Sequence, residues 1–191
     1  MDATRGALQR AIEVCVAASG FEETCLPFTR ALYGTAVRLT QRPEDASDLV
    51  QETFLRAYRG FNRFREGSNA KAWLFTILHS VFVNRYRKAR REAERVSIDD
   101  VDERFLAARD GHPGLAASSA PTAAELESAL ASLPEPYRLA VLLVDVEGFT
   151  YEEAADCLEV PVGTVRSRLS RGRKLLFVLL RGGAGHAPSE T

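Results

Sequence analysis

The chain has 191 residues, of which 46% are hydrophobic and 27% charged, a composition that suits one medium-sized domain or two small ones and argues against a disordered or collagen-like chain. No apolar run approaches the roughly 18 residues of a membrane-spanning helix, and the N-terminus lacks the layout of a signal peptide. The three cysteines, Cys15, Cys25 and Cys157, are scattered and odd in number, so they predict a reducing cytoplasm rather than a disulfide framework, and none lies at metal-ligand spacing.

The near-neutral total charge conceals two basic blocks. The formal net charge is −1, which by itself argues against nucleic-acid binding. Residues 61–95, however, hold nine Lys and Arg against three Asp and Glu, and residues 161–191 hold six against one. Because charges are screened beyond roughly 8–10 Å at cellular salt, each block acts locally. A single basic block is as often a solvated helix face as a binding surface. Two basic blocks that each end a helical pattern favour a nucleic-acid partner.

Helical periodicity dominates the first half of the chain. A first helix is predicted from about residue 24 to residue 39. A second begins at Pro43, where proline suits a first turn, and carries an apolar stripe at spacings of three and four residues. A third is capped by Ser68 or Asn69 and becomes basic from Arg85.

The second half of the chain is helical after a change in composition. Residues 96–123 pass from acidic to rich in Gly, Pro, Ser and Ala, which predicts a flexible linker. Helices follow around residues 126–133 and 137–146, on either side of a break that contains two prolines. The predicted fold class is therefore all-α, with two small helical domains joined by a flexible linker. The predicted divisions are an N-terminal extension at 1–20, a first domain at 21–95, the linker at 96–123, a second domain at 124–180 and a tail at 181–191.

A helix-turn-helix is predicted within the second domain. Thr150 and Glu153 have the spacing of a capping box, and Val165, Leu169 and Leu176 are expected to point inward on the helix after the turn. Small and basic side chains fall away from that line, and such side chains suit entry into the DNA major groove. They are Arg166, Ser167, Ser170, Arg171 and Lys174. The alternative is an ordinary helical hairpin with a cationic face.

Two stretches resemble the sigma-70 family of RNA polymerase initiation factors, in its small extracytoplasmic-function (ECF) group. The first is residues 43–88, which include DASDLVQETF and an aromatic segment, and the second is residues 133–176, which end in GTVRSRLSRGRKLL. The likeness covers roughly residues 21–95 and 124–180. It implies a non-catalytic factor that binds core RNA polymerase, recognises the −35 and −10 promoter elements and promotes DNA melting.

The resemblance implies that the helix beginning at Pro43 docks on the clamp helices of the largest polymerase subunit. Asp48 and Glu52 lie one turn apart and share a face suited to basic partner residues. The apolar members of this set are also candidates for the core. The implied polymerase-binding residues are Asp48, Leu49, Gln51, Glu52 and Phe54.

The loop before the third helix matches the loop that, in the family, captures an unstacked base of the −10 element. A flipped base needs polar partners and a stacking surface, which Asn69, Ser68 and Phe64 could supply. The alternative is an ordinary polar loop with a helix cap, and Trp73 and Phe75 are expected in the core. Basic residues beyond the loop would hold phosphates. The implied −10 residues are Phe64, Arg65, Ser68, Asn69, Lys71, Ser80, Asn84, Arg85, Arg87 and Lys88.

The helix after the turn carries the implied −35 contacts. These residues are Thr164, Arg166, Ser167, Arg168, Ser170, Arg171 and Lys174. The chain departs from the family at Ser80, which follows His79 where many relatives have an Asn after a basic residue. This departure bears on which −10 sequence is read.

The resemblance implies core RNA polymerase, promoter DNA and an anti-sigma factor as partners, in the bacterial cytoplasm or held at the membrane by the anti-sigma factor. No cofactor, metal or small-molecule substrate is expected. The acidic half of the linker suits a basic polymerase channel, and equally a solubilising tether. The alternative interpretation is a stand-alone helix-turn-helix transcriptional regulator, which would bind duplex DNA without polymerase. An enzyme is not expected, because the sequence offers no nucleophile–base pair, phosphate loop or metal cluster.

Overall fold

The structure is a computed structural model that describes residues 20–65, 67–84 and 121–183. None of these residues lies in a strand, and they fall into two compact units that divide between Asn84 and Arg85. The predicted all-α fold class is confirmed. Residues 1–19 of the predicted N-terminal extension, the basic run after Asn84 and most of the predicted linker lie outside the described residues.

The first unit is built from three main helices. Residues 20–25 are helical and lead through a 3-10 turn, Leu26–Phe28, into α1 (Thr29–Thr40), while α2 spans Pro43–Gly60 and α3 spans Ala70–Phe82. The helix predicted over residues 24–39 is thus interrupted, because Pro27 has no N–H to donate to a continuous helix. α2 packs against both α1 and α3 and is the central element of the unit.

The apolar stripes of the three helices meet in one core. Pro43 occupies the first turn of α2, where its missing N–H breaks no helical hydrogen bond. Phe75 is buried as predicted, whereas Trp73 and Phe54 are half-buried. Buried side chains from all three helices form the core: Leu32, Ala36, Ala46, Leu49, Val50, Ala57, Leu74, Leu78 and Val81.

The second unit contains four helices. These are α4 (Ala123–Ser132), α5 (Glu135–Val141), which continues into a π-helical turn over Leu142–Val146, α6 (Tyr151–Leu158) and α7 (Val162–Gly183). The predicted break falls between α4 and α5, where Pro134 precedes the first residue of α5. Glu159 takes a left-handed conformation (φ 54°) and ends α6, so that α6, the turn and α7 form the predicted helix-turn-helix.

α7 lies against α5 at Gly172. A Cβ atom placed on Gly172 would lie 2.9 Å from Cγ2 of Val141 and 3.2 Å from the carbonyl oxygen of Tyr137. The two helices therefore meet where α7 has no side chain. Leu175 is buried in the surrounding core cluster, whereas Leu176, which was expected to point inward, is only partly buried against it. The cluster consists of Leu130, Leu133, Tyr137, Ala140, Val141, Leu169 and Leu175.

The close contact at Gly172 predicts a penalty for any larger residue. Gly172→Ala is expected to lower the free energy of unfolding by up to about 2 kcal/mol, because overpacking costs about 1–3 kcal/mol and the better helix propensity of alanine returns about 1 kcal/mol. Gly163→Ala is the matched control, since open space surrounds Gly163 in the same helix, and it should leave stability unchanged or raised. Urea unfolding followed by far-UV circular dichroism measures both, and a Gly172→Ala chain that is stabilised as much as the Gly163→Ala chain would contradict the packing described.

Candidate functional site

α2 presents an acidic face to solvent. Asp48 and Gln51 are exposed, and Glu52 is half-buried with its carboxylate accepting a 2.7 Å hydrogen bond from Nε of Arg56. Leu49, by contrast, has no exposed surface. Of the five predicted polymerase-binding residues, Leu49 thus lies in the core of the unit, and the polar three share the outer face of the helix.

Two exposed apolar side chains on α2 were missed by the sequence reasoning. Leu55 is 51% exposed and Tyr58 is 47% exposed. Leu55 follows Asp48 by seven residues and Gln51 by four, so the three lie on one helix face. The spacing was visible in the sequence, but the predicted binding face was limited to the five residues that the family resemblance implied.

An aromatic cluster flanks the loop before α3. The ring of Phe64 stacks on Phe61, with 5.7 Å between centroids and 8° between planes, and lies 5.0 Å from the ring of Trp73. Phe61 also meets Phe21 edge-on at 5.3 Å. Phe64 is half-buried, so its ring is fixed by neighbours and one part of it still reaches solvent.

The polar residues of the same loop shape its turn. Oδ1 of Asn69 accepts a 3.1 Å hydrogen bond from the amide of Ala72 and caps α3, while Oγ of Ser68 donates to the carbonyl of Arg65 at 2.6 Å. Gly67 takes a positive φ of 83°, which a residue with a side chain rarely adopts. The helix-cap alternative is therefore present for Asn69, and both polar side chains remain exposed beside Phe64.

The remaining predicted −10 residues follow α3. Nζ of Lys71 lies 5.7 Å from the centroid of the Phe75 ring. Ser80 and Asn84 are exposed near the end of the helix and are joined by a 3.5 Å contact from Nδ2 of Asn84 to Oγ of Ser80. Arg65 is also exposed. Arg85, Arg87 and Lys88 lie outside the described residues.

The helix-turn-helix begins with the predicted capping box. Oγ1 of Thr150 accepts from the amide of Glu153 at 3.1 Å, and the Glu153 carboxylate accepts from the amide of Thr150 at 2.9 Å. Two amides at the start of α6 are thereby satisfied. The turn is closed by a 3.1 Å hydrogen bond from the amide of Val160 to the carbonyl of Ala155, and α7 starts two residues later.

α7 carries a basic face that is open to solvent. Five of the seven predicted −35 residues are exposed, and Thr164 and Arg168 are half-buried. The sequence of α7 contains no Asp or Glu, so no acidic residue within the helix offsets its cations. The exposed residues are Arg166, Ser167, Ser170, Arg171 and Lys174.

An ion pair between distant residues fixes α7 to the end of α5 and was not foreseen. Nε of Arg173 donates to Oδ2 of Asp145 at 3.0 Å, and Nη2 donates to Oδ1 at 2.5 Å. Hydrogen bonding to Asp145 raises the pKa of Arg173 above its already high ordinary value. The two residues are 28 positions apart, so no local pattern in the sequence signals the pair.

Residues 20–65, 67–84 and 121–183 contain neither a metal-binding cluster nor a membrane-spanning helix. No group of three or more His, Cys, Asp or Glu side chains there could hold a metal ion. No helix there is long and apolar enough to cross a membrane.

Known sequences match both units. Residues 27–92 match the family model of sigma-70 region 2, and residues 123–176 match that of sigma-70 region 4. The chain is 41% identical over 150 residues to the ECF RNA polymerase sigma factor EcfG of Rhodopseudomonas palustris, covering 78% of this chain and 79% of that protein. It is 38% identical over 145 residues to the ECF RNA polymerase sigma factor SigE of Mycolicibacterium smegmatis, covering 76% of this chain and 55% of that protein.

Solved structures agree with the sequence matches. The chain is similar to the sigma factor RpoE from Bartonella quintana, solved in complex with the anti-sigma factor NepR, with a TM-score of 0.64 and 32% identity over 85% of this chain and 97% of that one. It is also similar to CnrH, solved with the cytosolic domain of CnrY, with a TM-score of 0.60 and 24% identity over 92% of this chain and 97% of that one. At 24% identity, the similarity to CnrH shows a shared fold only.

The aromatic cluster predicts that Phe64 stabilises the first unit. Phe64→Ala is expected to lower the free energy of unfolding by about 1–3 kcal/mol, because it removes two ring contacts worth about 0.5–1.5 kcal/mol each beyond their buried area. Leu55→Ala is the matched control, an exposed apolar side chain that should change stability by less than about 0.5 kcal/mol. Urea unfolding compares the two, and equal effects would show that the Phe64 ring contacts add nothing.

Proposed function

This chain belongs to the ECF group of sigma-70 factors, the transcription-initiation factors of RNA polymerase, and from that membership we propose how its two units divide the work. The resemblance drawn from the sequence is confirmed by the family matches. In our proposal the chain catalyses no reaction of its own. It brings core RNA polymerase to promoters whose −35 and −10 elements it recognises. The observation that carries this proposal is the basic face of α7, exposed on the second helix of a helix-turn-helix.

The second unit, with bounds that we place near residues 124 and 180, reads the −35 element through α7. Side chains near the start of a recognition helix reach base edges in the major groove, which assigns that role to Arg166 and Ser167 and, one turn beyond Arg166 on the same face, to Ser170. Arginine pairs with guanine through two hydrogen bonds, and Arg171 is a second candidate for such a contact. Thr164, Arg168 and Lys174 complete the set by binding the phosphate backbone, which positions the helix without reading sequence.

The first unit, with bounds near residues 21 and 95, takes the −10 element. Phe64 offers a ring for an unstacked base, and Ser68 and Asn69 lie exposed beside it. A base taken out of the stack is recognised by such a combination of stacking and polar contacts. Further −10 contacts fall to Arg65, Lys71, Ser80 and Asn84, and to the basic residues Arg85, Arg87 and Lys88.

The acidic face of α2 binds core polymerase. Asp48, Gln51 and Glu52 supply polar contacts, and we add Leu55, which extends the same face with an exposed apolar side chain. An apolar residue at the centre of charged neighbours is typical of protein interfaces. Phe54 is half-buried and contributes at the edge of this face, whereas buried Leu49 supports it from the core.

An anti-sigma factor is the remaining partner that we infer. The support is that the similar RpoE of Bartonella quintana was solved in complex with the anti-sigma factor NepR. We infer a cytoplasmic location, and an anti-sigma factor is the means by which the chain could be held at a membrane. No cofactor, metal or small-molecule substrate has a role in the proposal.

Run-off transcription from a promoter library tests the proposal. Purified core polymerase is used with and without this chain. Promoter-specific transcripts that require the chain are expected, and their sequences would give its −35 and −10 preferences together. Absence of such transcripts, together with tight binding of the chain alone to duplex DNA, would favour the rival, a stand-alone helix-turn-helix regulator.

The role of α2 predicts a charge-reversal effect on polymerase binding. Asp48→Arg is expected to weaken association with core polymerase by about tenfold or more, because it places a like charge against the basic partner surface. Co-purification and a titration with labelled chain measure the effect. Glu23→Arg is the matched control, an exposed acidic residue of the same unit outside α2. Undiminished binding by Asp48→Arg would exclude this residue from the interface.

The role of α7 predicts a selective loss of promoter recognition. Arg171→Ala is expected to reduce transcription from a matched promoter by roughly 10- to 100-fold, the effect of losing about 1–3 kcal/mol of base contact, while core binding is retained. Arg181→Ala, an exposed arginine in the last turns of the same helix, serves as the control. A normal rate with Arg171→Ala would remove this residue from the −35 contacts.

A further inference from the structure

Arg166 is exposed to solvent but has an aromatic ring beneath it. Its guanidinium carbon lies 5.6 Å from the centroid of the Tyr151 ring, within the range of a cation–π interaction. Tyr151 is the first residue of α6 and follows the Thr150 cap directly. Its ring is half-buried and packs against the core cluster around Gly172. The contact therefore joins the long side chain of Arg166 to an aromatic ring that is held by packing against the core.

The Tyr151 side chain is also linked to the ion pair that anchors α7. Arg173 is held by two hydrogen bonds to Asp145. Tyr151 acts on the same group: after the hydrogen bonds that Arg173 donates to Asp145, which are the largest cause, electrostatic interaction and hydrogen bonding with Tyr151 also raise the pKa of Arg173. Asp145 comes from the π-helical turn, Tyr151 from α6 and Arg173 from α7, so Arg173 interacts with a residue of each of the two other elements.

An arginine that enters a DNA groove normally gives up rotamer freedom when it binds. A ring that already restrains the guanidinium reduces that loss, and a ring contact attracts the cation as a whole without tying its N–H groups to an oxygen acceptor of the protein. The geometry points to Tyr151 as a positioning residue for Arg166, which holds the guanidinium in the orientation used on −35 DNA. This inference rests on the proposed function of α7.

A double-mutant cycle in the holoenzyme tests the inference. Core polymerase carrying the full chain is titrated with promoter DNA at one salt concentration, and apparent affinities are compared. Tyr151→Leu is expected to weaken binding by roughly two- to fivefold, the size of an exposed cation–π interaction. Tyr151→Phe keeps the ring and should stay within roughly twofold of wild type. In an Arg166→Ala background, Tyr151→Leu should have no further effect.

Lys174 provides the matched control background. It lies eight residues beyond Arg166 on α7 and is also exposed, so Tyr151→Leu should cost the same in a Lys174→Ala chain as in wild type. Far-UV circular dichroism verifies that the variants are folded. Should Tyr151→Leu fail to fold, Tyr151→Met removes the ring while keeping a side chain of similar length in the core.

Several results would overturn the inference. An equal cost of Tyr151→Leu in the wild-type and Arg166→Ala backgrounds would mean that Tyr151 acts through the stability of the unit and not through Arg166. A loss with Tyr151→Phe as large as that with Tyr151→Leu would assign the effect to the hydroxyl. If Arg166→Ala alone left binding unchanged while Arg171→Ala reduced it, the inference would fail and the proposed function would stand. If wild-type holoenzyme ignored the −35 sequence, the proposed function would fail as well.

Discussion

The second unit depends on the close approach of α5 and α7 at Gly172. A hydrogen atom in place of a side chain lets the two helices meet at van der Waals distance, with Val141 and the Tyr137 backbone filling the space. Leu169 and Leu175 pack on either side of this point. The contact lies near the middle of α7. The position of the first turns of the helix is therefore fixed by packing at this point. The direction of the basic side chains is therefore set by a residue that carries no chemistry of its own.

The two units solve the problem of presenting a binding surface in different ways. In the second unit, α7 is held by apolar packing of its inner face and by the Asp145–Arg173 ion pair. Its outer face is polar. In the first, the surface residues lie beside stacked rings, so Phe64 is both a structural contact and an exposed ring. Substitutions in the first unit will mix stability with function more than those on the outer face of α7.

Periodicity predicted much of this arrangement, because its causes are local. The capping box of Thr150 and Glu153 and the outward face of α7 follow from spacings of three and four residues. The helix start at Pro43 follows from the preference of proline for a first turn. The Asp145–Arg173 pair was not predictable, since it joins residues 28 positions apart and depends on how two helices cross. Leu55 was missed for another reason: its spacing places it on the face of Asp48 and Gln51, but the predicted contacts were those implied by the family resemblance, and the structure shows that its side chain is exposed.

The position of Trp73 has an experimental consequence. It is the only tryptophan in the chain, and its ring lies 5.0 Å from that of Phe64, beside the loop to which we assign base capture. Indole emission depends on the polarity and rigidity of its surroundings. The unlabelled protein thus carries an intrinsic fluorescent reporter at this loop. A base that stacks on Phe64 would change the emission of Trp73, so the time course of that emission would follow base capture.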